Sequence, residues 1–270
     1  MSLLFRKDKR LFSWLFLIAA AHNCLIVGGQ GQSPRDEDAL ASAIKRLCSS
    51  SEKERQTAKD EIARFGRKAI PPLLSVLEVL SENLLGLSPK SEGREGSDSG
   101  FLLGLKESKC YTDPKLNWEV NSDVCELLGQ LQAVEAVPIL LRIMDERETI
   151  NHLGAVTFDM KALVSIGDPA VPQILEFFES ADLRAESIKF GGPQPSLEVQ
   201  TRYKQGHAAT ARARAAIVLA EIGDIRALPV LEQSLHLSTT GAWRPDVPYI
   251  KEAISKIKDK NKIRYSIADL

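Results

Sequence analysis

The chain has 270 residues, of which 44% are apolar and 26% charged, with a formal net charge of −1. That composition can fill a sizeable core and excludes low-complexity disorder, collagen and a multi-span membrane protein. A charge so close to zero argues against a protein whose main task is to hold nucleic-acid phosphates.

The first element in chain order is a targeting segment. Arg6, Lys7, Lys9 and Arg10 form a positive region, followed by the apolar run Leu11 to Ala21. This is the layout of a secretory signal peptide, with cleavage after Ala21 or Gly29. Residues 1–29 are therefore expected to direct export, to a periplasmic or extracellular location. The rival reading is an uncleaved membrane anchor, since Leu11 to Gly29 is 19 residues, about the minimum length to span. His22 and Asn23 interrupt that stretch, and polar groups in hydrocarbon are costly. Residues 1–29 hold four basic residues and one acidic, so the remainder has 31 basic and 35 acidic residues and a net charge of −4. Residues 30–35 read as a linker and 36–270 as the folded domain.

A leading helix follows over Asp36 to Cys48, with Leu40, Ile44 and Leu47 on one face. Four units then come, each a helix, a short turn and a second helix. The turns read Phe65-Gly66-Arg67-Lys68-Ala69-Ile70-Pro71, Leu131-Gln132-Ala133-Val134-Glu135-Ala136-Val137-Pro138, Ile166-Gly167-Asp168-Pro169-Ala170-Val171-Pro172 and Ile222-Gly223-Asp224-Ile225-Arg226-Ala227-Leu228-Pro229. The shared pattern is apolar, Gly, polar, then Ala, apolar, Pro, with Gln132 standing in for Gly in the second unit.

Apolar residues flank every turn at helical spacing. Ala58, Ile62 and Phe65 precede the first turn, and Leu73, Leu74, Leu77 and Leu80 follow it. Val124, Leu127, Leu128 and Leu131 precede the second; Val137, Leu140, Leu141 and Met144 follow. Val156, Met160, Leu163 and Ile166 precede the third; Val171, Ile174, Leu175 and Phe178 follow. Ala215, Ala216, Leu219 and Ile222 precede the fourth, and Leu228, Leu231 and Leu235 follow. No stretch of comparable length alternates with period 2. Gly167 and Gly223 are expected to end helices in the left-handed conformation. Asp168 and Asp224 are expected to cap the next helix. The prolines at 71, 138, 172 and 229 are expected to bend or open the first turn of each second helix. A closing helix over Val247 to Ile257 carries Ile250, Ile254 and Ile257.

These motifs resemble HEAT repeats, in particular the short bacterial HEAT-like subtype related to that of phycobilin lyases. The phrases Ala162-Leu163-Val164-Ser165-Ile166-Gly167-Asp168-Pro169-Ala170-Val171-Pro172 and Ala215-Ala216-Ile217-Val218-Leu219-Ala220-Glu221-Ile222-Gly223-Asp224 carry most of the likeness. The resemblance implies an all-α, right-handed solenoid of about four helix pairs that presents a curved binding surface. The proline spacing places two insertions, near 81–116 and near 181–206. Each joins the second helix of one unit to the first of the next, so both are expected to line one rim.

Few residues point to chemistry. Outside the leader the histidines are His152, His207 and His236, and none has metal-ligand spacing. One HEAT-repeat enzyme family, deoxyhypusine hydroxylase, holds iron with His-Glu dipeptides; this chain has none. No phosphate loop or nucleophile elbow occurs. No cofactor, metal or catalytic residue is therefore assigned, and no catalysis is expected. Arg202, Lys204, Arg212 and Arg214 form a short basic stretch. Arg212 and Arg214 are expected on the solvent side of their helix, and nucleic-acid binding is not expected. Asp145, Glu146 and Glu148 read as a solvated turn. Trp118, Trp243 and Arg244 are the candidate partner contacts, because Trp and Arg are favoured at interface hot spots; each Trp nonetheless reads first as a cover over the end of a helix pair. Export would permit a disulfide. Cys110 and Cys125, flanking a loop-to-helix junction, are the expected pair, while Cys48 and Cys125 also read as small core residues.

The sequence thus leads to an exported interaction or scaffold module that binds another protein through its concave helix face or insertion rim. Membrane contact is expected only through the N-terminal segment, if that is retained. The alternative is an enzyme, or an accessory subunit of one, with a pocket closed by the two insertions.

Overall fold

In a computed structural model, the residues described are 34–84, 105–106, 108–146, 156–190, 194–236 and 244–268. Two units are distinguished, Met1–Ala39 and Leu40–Leu270. Helix α1 (Pro34–Leu47) begins in the first, and everything below concerns the second. No β-strand occurs among the described residues.

The four units appear as helix pairs: α2 (Glu52–Arg64) with α3 (Ile70–Leu84), α5 (Pro114–Gln130) with α6 (Val137–Glu146), α7 (Phe158–Ile166) with α8 (Val171–Glu179), and α10 (Leu197–Ile222) with α11 (Leu228–His236). Short helix α4 (Lys109–Thr112) precedes α5, α9 (Ala181–Glu186) follows α8, and α12 (Val247–Ala268) closes the chain. The first helices stack in one layer, α5 on α7, α7 on α10 and α10 on α12. Each of α3, α6 and α8 packs on the first helix of the next pair, and α6 also meets α8. The apolar residues thus form one continuous core, from Leu40 and Ile44 through Leu128, Leu163 and Leu219 to Ile257. Each helix pair buries its stripe only because its neighbour covers it.

The turns share one local solution. A 3₁₀ segment precedes every second helix, at 66–69, 134–136, 168–170 and 225–227. The shared pattern residue at or just before its start has positive φ in all four: Gly66 at 57°, Gln132 at 49°, Gly167 at 76° and Gly223 at 80°. At Gln132 the end of α5 forms two nested bonds, Gln132 N–H to the Gly129 carbonyl and Ala133 N–H to the Leu128 carbonyl, both at 3.0 Å. This is the Schellman arrangement that ordinarily selects Gly. The prolines occupy the second residue of α3, α6, α8 and α11, where a backbone N–H has no helical acceptor. They cost the helix no bond, and the opened first turn is the 3₁₀ segment ahead of them.

Some expectations are corrected here. Asp224 caps as expected, accepting from Arg226 N–H at 2.8 Å. Asp168 does not, because the equivalent donor, Ala170 N–H, is taken by the Gly167 carbonyl at 2.9 Å. Gly167 has ψ −143°, outside the left-handed helical region that Gly223 occupies. Val156 lies ahead of α7 and is exposed rather than in the stripe. The region 181–206 comprises α9, a connection, and the first turns of α10. Of 81–116, residues 85–104 and 107 lie outside the described residues.

The disulfide joins Cys48, after α1, to Cys110 in α4, with Cα atoms 5.1 Å apart. The pairing of Cys110 with Cys125 is thereby overturned. Cys125 lies about three turns into α5, on its buried face, and takes no part in the bond. Cys110 instead faces the end of α1.

Candidate functional site

Helix α10 carries an alanine-rich run in which Ala208, Ala209, Ala211, Ala213, Ala215 and Ala216 are all buried. Small side chains let α7, α8, α9 and α12 all approach this one helix. Arg212 and Arg214 interrupt the run, and both are buried, at 7% and 3% exposure. The solvent-side expectation is therefore wrong for both. The physical reason is that each finds acceptors within the packed layers.

Arg214 Nη1 donates to the Met144 carbonyl at 2.6 Å, in the last turn of α6. A cation there meets helical carbonyls that have no partner in their own helix. Burial lowers the Arg214 pKa, and the charges of Asp159 and Asp145 offset that only in part. Asp145 is itself bound by Arg184 of α9, Nε to Oδ2 at 2.9 Å, and His207 Nδ1 stands 4.0 Å from its Oδ1. Asp145 is thus part of an ion pair beneath α9 and α10 and not a solvated turn residue.

Arg212 points the other way. Its Nε donates to Asp246 Oδ2 at 2.7 Å and its Nη1 to Asp182 Oδ1 at 2.8 Å. Asp246, fully buried just before α12, also accepts from Arg244, Nε to Oδ1 at 2.9 Å and Nη2 to Oδ2 at 2.8 Å. Arg244 Nη2 further donates to Ser234 Oγ of α11 at 3.1 Å. Burial works to raise the Asp246 pKa, but the bonds from Arg244 and Arg212 outweigh it and hold the carboxyl below its ordinary value. For Arg212 burial is likewise outweighed, by Asp182 and Asp246, and its pKa is raised.

This cluster forms one wall of a cavity of about 420 Å³ between the second helices α8 and α11. Phe178 and Glu179 line it from α8, Asp182 from α9, and Val230, Gln233 and Ser234 from α11. That size suits a small ligand or an inserted side chain. A second cavity, of about 320 Å³, lies where α2 meets α5. Its central Arg55 is bound by Glu119 at 2.8 Å and Asp123 at 3.1 Å.

Of the candidate contact residues, Arg244 belongs to the larger cavity. Trp118 does not: it lies early in α5, 44% exposed, edge-on to Phe158 with ring centroids 5.0 Å apart. Trp243 lies outside the described residues. Sequence reasoning missed Arg212, Asp246, Asp182 and Glu179. The available signal was Ala211-Arg212-Ala213-Arg214-Ala215, since a helix small on all faces is packed on all faces. Among the described residues no group of three or more His, Cys, Asp or Glu could hold a metal ion, and no helix is long and apolar enough to cross a membrane.

The sequence model of the PBS lyase HEAT-like repeat matches residues 211–236, which span the end of α10, the fourth turn and α11. No curated protein and no solved structure matches the chain significantly.

Proposed function

We propose that this chain is an exported interaction or scaffold module whose second-helix layer engages a protein partner. The HEAT-like repeat, a helical unit whose stacking builds extended binding surfaces, supports that class of function. One observation carries the choice of face. Each second helix leaves an apolar side chain only partly buried: Leu74 on α3, Ile139 on α6, Leu175 on α8 and Val230 on α11. Leu74 and Leu175 lie three residues after their repeat proline and Ile139 and Val230 one residue after theirs, and such partly buried apolar side chains beside polar ones are what a protein interface needs. A protein partner also fits the net charge of −4 outside the leader better than a nucleic acid does. Export is supported by the leader sequence and by the Cys48–Cys110 disulfide, a bond that persists in oxidising compartments.

The test uses the chain as bait in extract of its native cell envelope. A specific protein should be recovered by the wild type and lost from a Leu74→Asp, Leu175→Asp double variant of unchanged helicity. Equal recovery by both would refute the layer as the contact face. Fractionation with N-terminal sequencing tests export, and an intact N-terminus in the soluble cytoplasm would overturn it.

A further inference from the structure

The cavity between α8 and α11 has a charge pattern that selects its occupant. Two cations line it, Arg212 and Arg244. Both are already met, Arg212 by Asp246 and Asp182, and Arg244 by Asp246. The wall also carries the exposed carboxylate Glu179, which forms no ion pair or hydrogen bond with any of the described residues. Gln233 and Ser234 add polar groups on the α11 side, and Phe178 and Val230 supply the apolar surface.

We infer that this cavity receives a basic side chain, lysine or arginine, from the bound partner. This rests on the second-helix layer being the contact face. The alkyl stem of such a residue packs on Phe178 and Val230 while its head reaches water and carboxylate at the rim, as long cationic side chains do. Its ammonium or guanidinium pairs with Glu179. An anion is the poorer fit, because it would have to displace Asp182 from Arg212 while meeting the unneutralised charge of Glu179. The Asp246 clamp holds Arg212 and Arg244 against their own carboxylate, so the cationic wall neither closes the cavity nor repels the incoming charge in full.

The experiment titrates the full chain with N-acetyl-arginine amide and N-acetyl-lysine amide, followed by amide NMR shifts of Glu179 and Gln233. N-acetyl-norleucine amide and acetate are the controls. The basic amides should shift these signals saturably. Glu179→Gln should weaken binding about fivefold, the scale of one partly exposed ion pair. Gln233→Glu, which adds a carboxylate to the opposite wall, should tighten it. The assignment is overturned by equal response to norleucine amide, by preference for acetate, or by an affinity that neither substitution changes. The two readings fail separately. A partner recovered equally by wild type and Glu179→Gln, with no amide binding, overturns the cavity assignment and leaves the layer standing. Amide binding at Glu179 with a partner insensitive to the Leu74→Asp, Leu175→Asp pair overturns the layer as the contact face and leaves only the cavity's own preference for a basic side chain.

Discussion

Arg212 Nε and Asp246 Oδ2 meet at 2.7 Å across 34 residues of sequence, and this one buried contact ties α10 to the start of α12. Asp246 serves two guanidiniums, since Arg244 also donates to it. Removing it leaves two cations without their shared partner. Asp246→Ala should therefore destabilise the domain by about 3–5 kcal/mol, the usual cost of breaking a buried pair from one side. Chemical denaturation measures it. A loss below about 1 kcal/mol, the level of surface pairs, would show that water already screens the cluster.

Acid should act through the same carboxylate. The folded pKa of Asp246 is held below the ordinary 3.8, mainly because the Arg244 and Arg212 bonds outweigh burial. A depressed carboxyl stabilises the fold above its unfolded pKa, and that stability is lost as pH falls through the folded value. The wild type should lose stability below about pH 4 more steeply than Asp246→Asn. Parallel denaturation midpoints for the two proteins in that range would contradict the clamp.

Gln132 sits at φ 49° in a position that the other three turns give to Gly. A side chain there costs about 1 kcal/mol in the left-handed region. Gln132→Gly should stabilise by about that much, after the extra chain entropy of Gly is deducted from a penalty that can reach about 2 kcal/mol. Thermal melting of the purified variant reads the gain. A lower melting temperature would mean that the Gln132 side chain contributes more than its backbone strain removes.

Gly129 marks the close approach of α5 to α7. A Cβ added there would lie 2.9 Å from Ser165 Cβ and 3.2 Å from Ala162 Cα. Helix propensity alone favours Gly129→Ala by about 1 kcal/mol. Overpacking against another helix's backbone costs about 1–3 kcal/mol, and the contact atoms are not the far ends of flexible side chains. The variant should be destabilised by about 1 kcal/mol net. Urea midpoints decide between the two signs.

The Cys48–Cys110 bond closes a loop of 62 residues. Chain-entropy arguments assign a loop of that length about 4 kcal/mol of stabilisation. Reductant, or Cys48→Ser with Cys110→Ser, should lower the denaturation midpoint accordingly. Non-reducing peptide mapping should recover a 48–110 cross-link with Cys125 outside it. Recovery of a Cys110–Cys125 peptide would restore the pairing suggested by sequence spacing.

The helix pairs were legible because they are local. Gly223, Asp224 and Pro229 specify a stop, a cap and a restart within a few residues, and the 3.6 period of Val124, Leu127, Leu128 and Leu131 needs no knowledge of neighbours. The candidate site was mostly illegible for the converse reason. Arg212 and Asp246 come together only when α10 and α12 stack, and a buried arginine looks like a surface one until its acceptors are placed. Arg244 was singled out for its residue type, and its actual neighbours were outside that reasoning.

By itself, the amino-acid sequence determined the all-α class, the four turns and most of the stripes that must be buried. Each follows from backbone preference and periodicity over a dozen or so residues. Tertiary structure decided which cysteines bond, which arginines leave solvent, and that α8 and α11 part to form a cavity bearing Glu179. Those outcomes depend on distances between residues tens of positions apart, and only the packing of one helix layer on the next sets them.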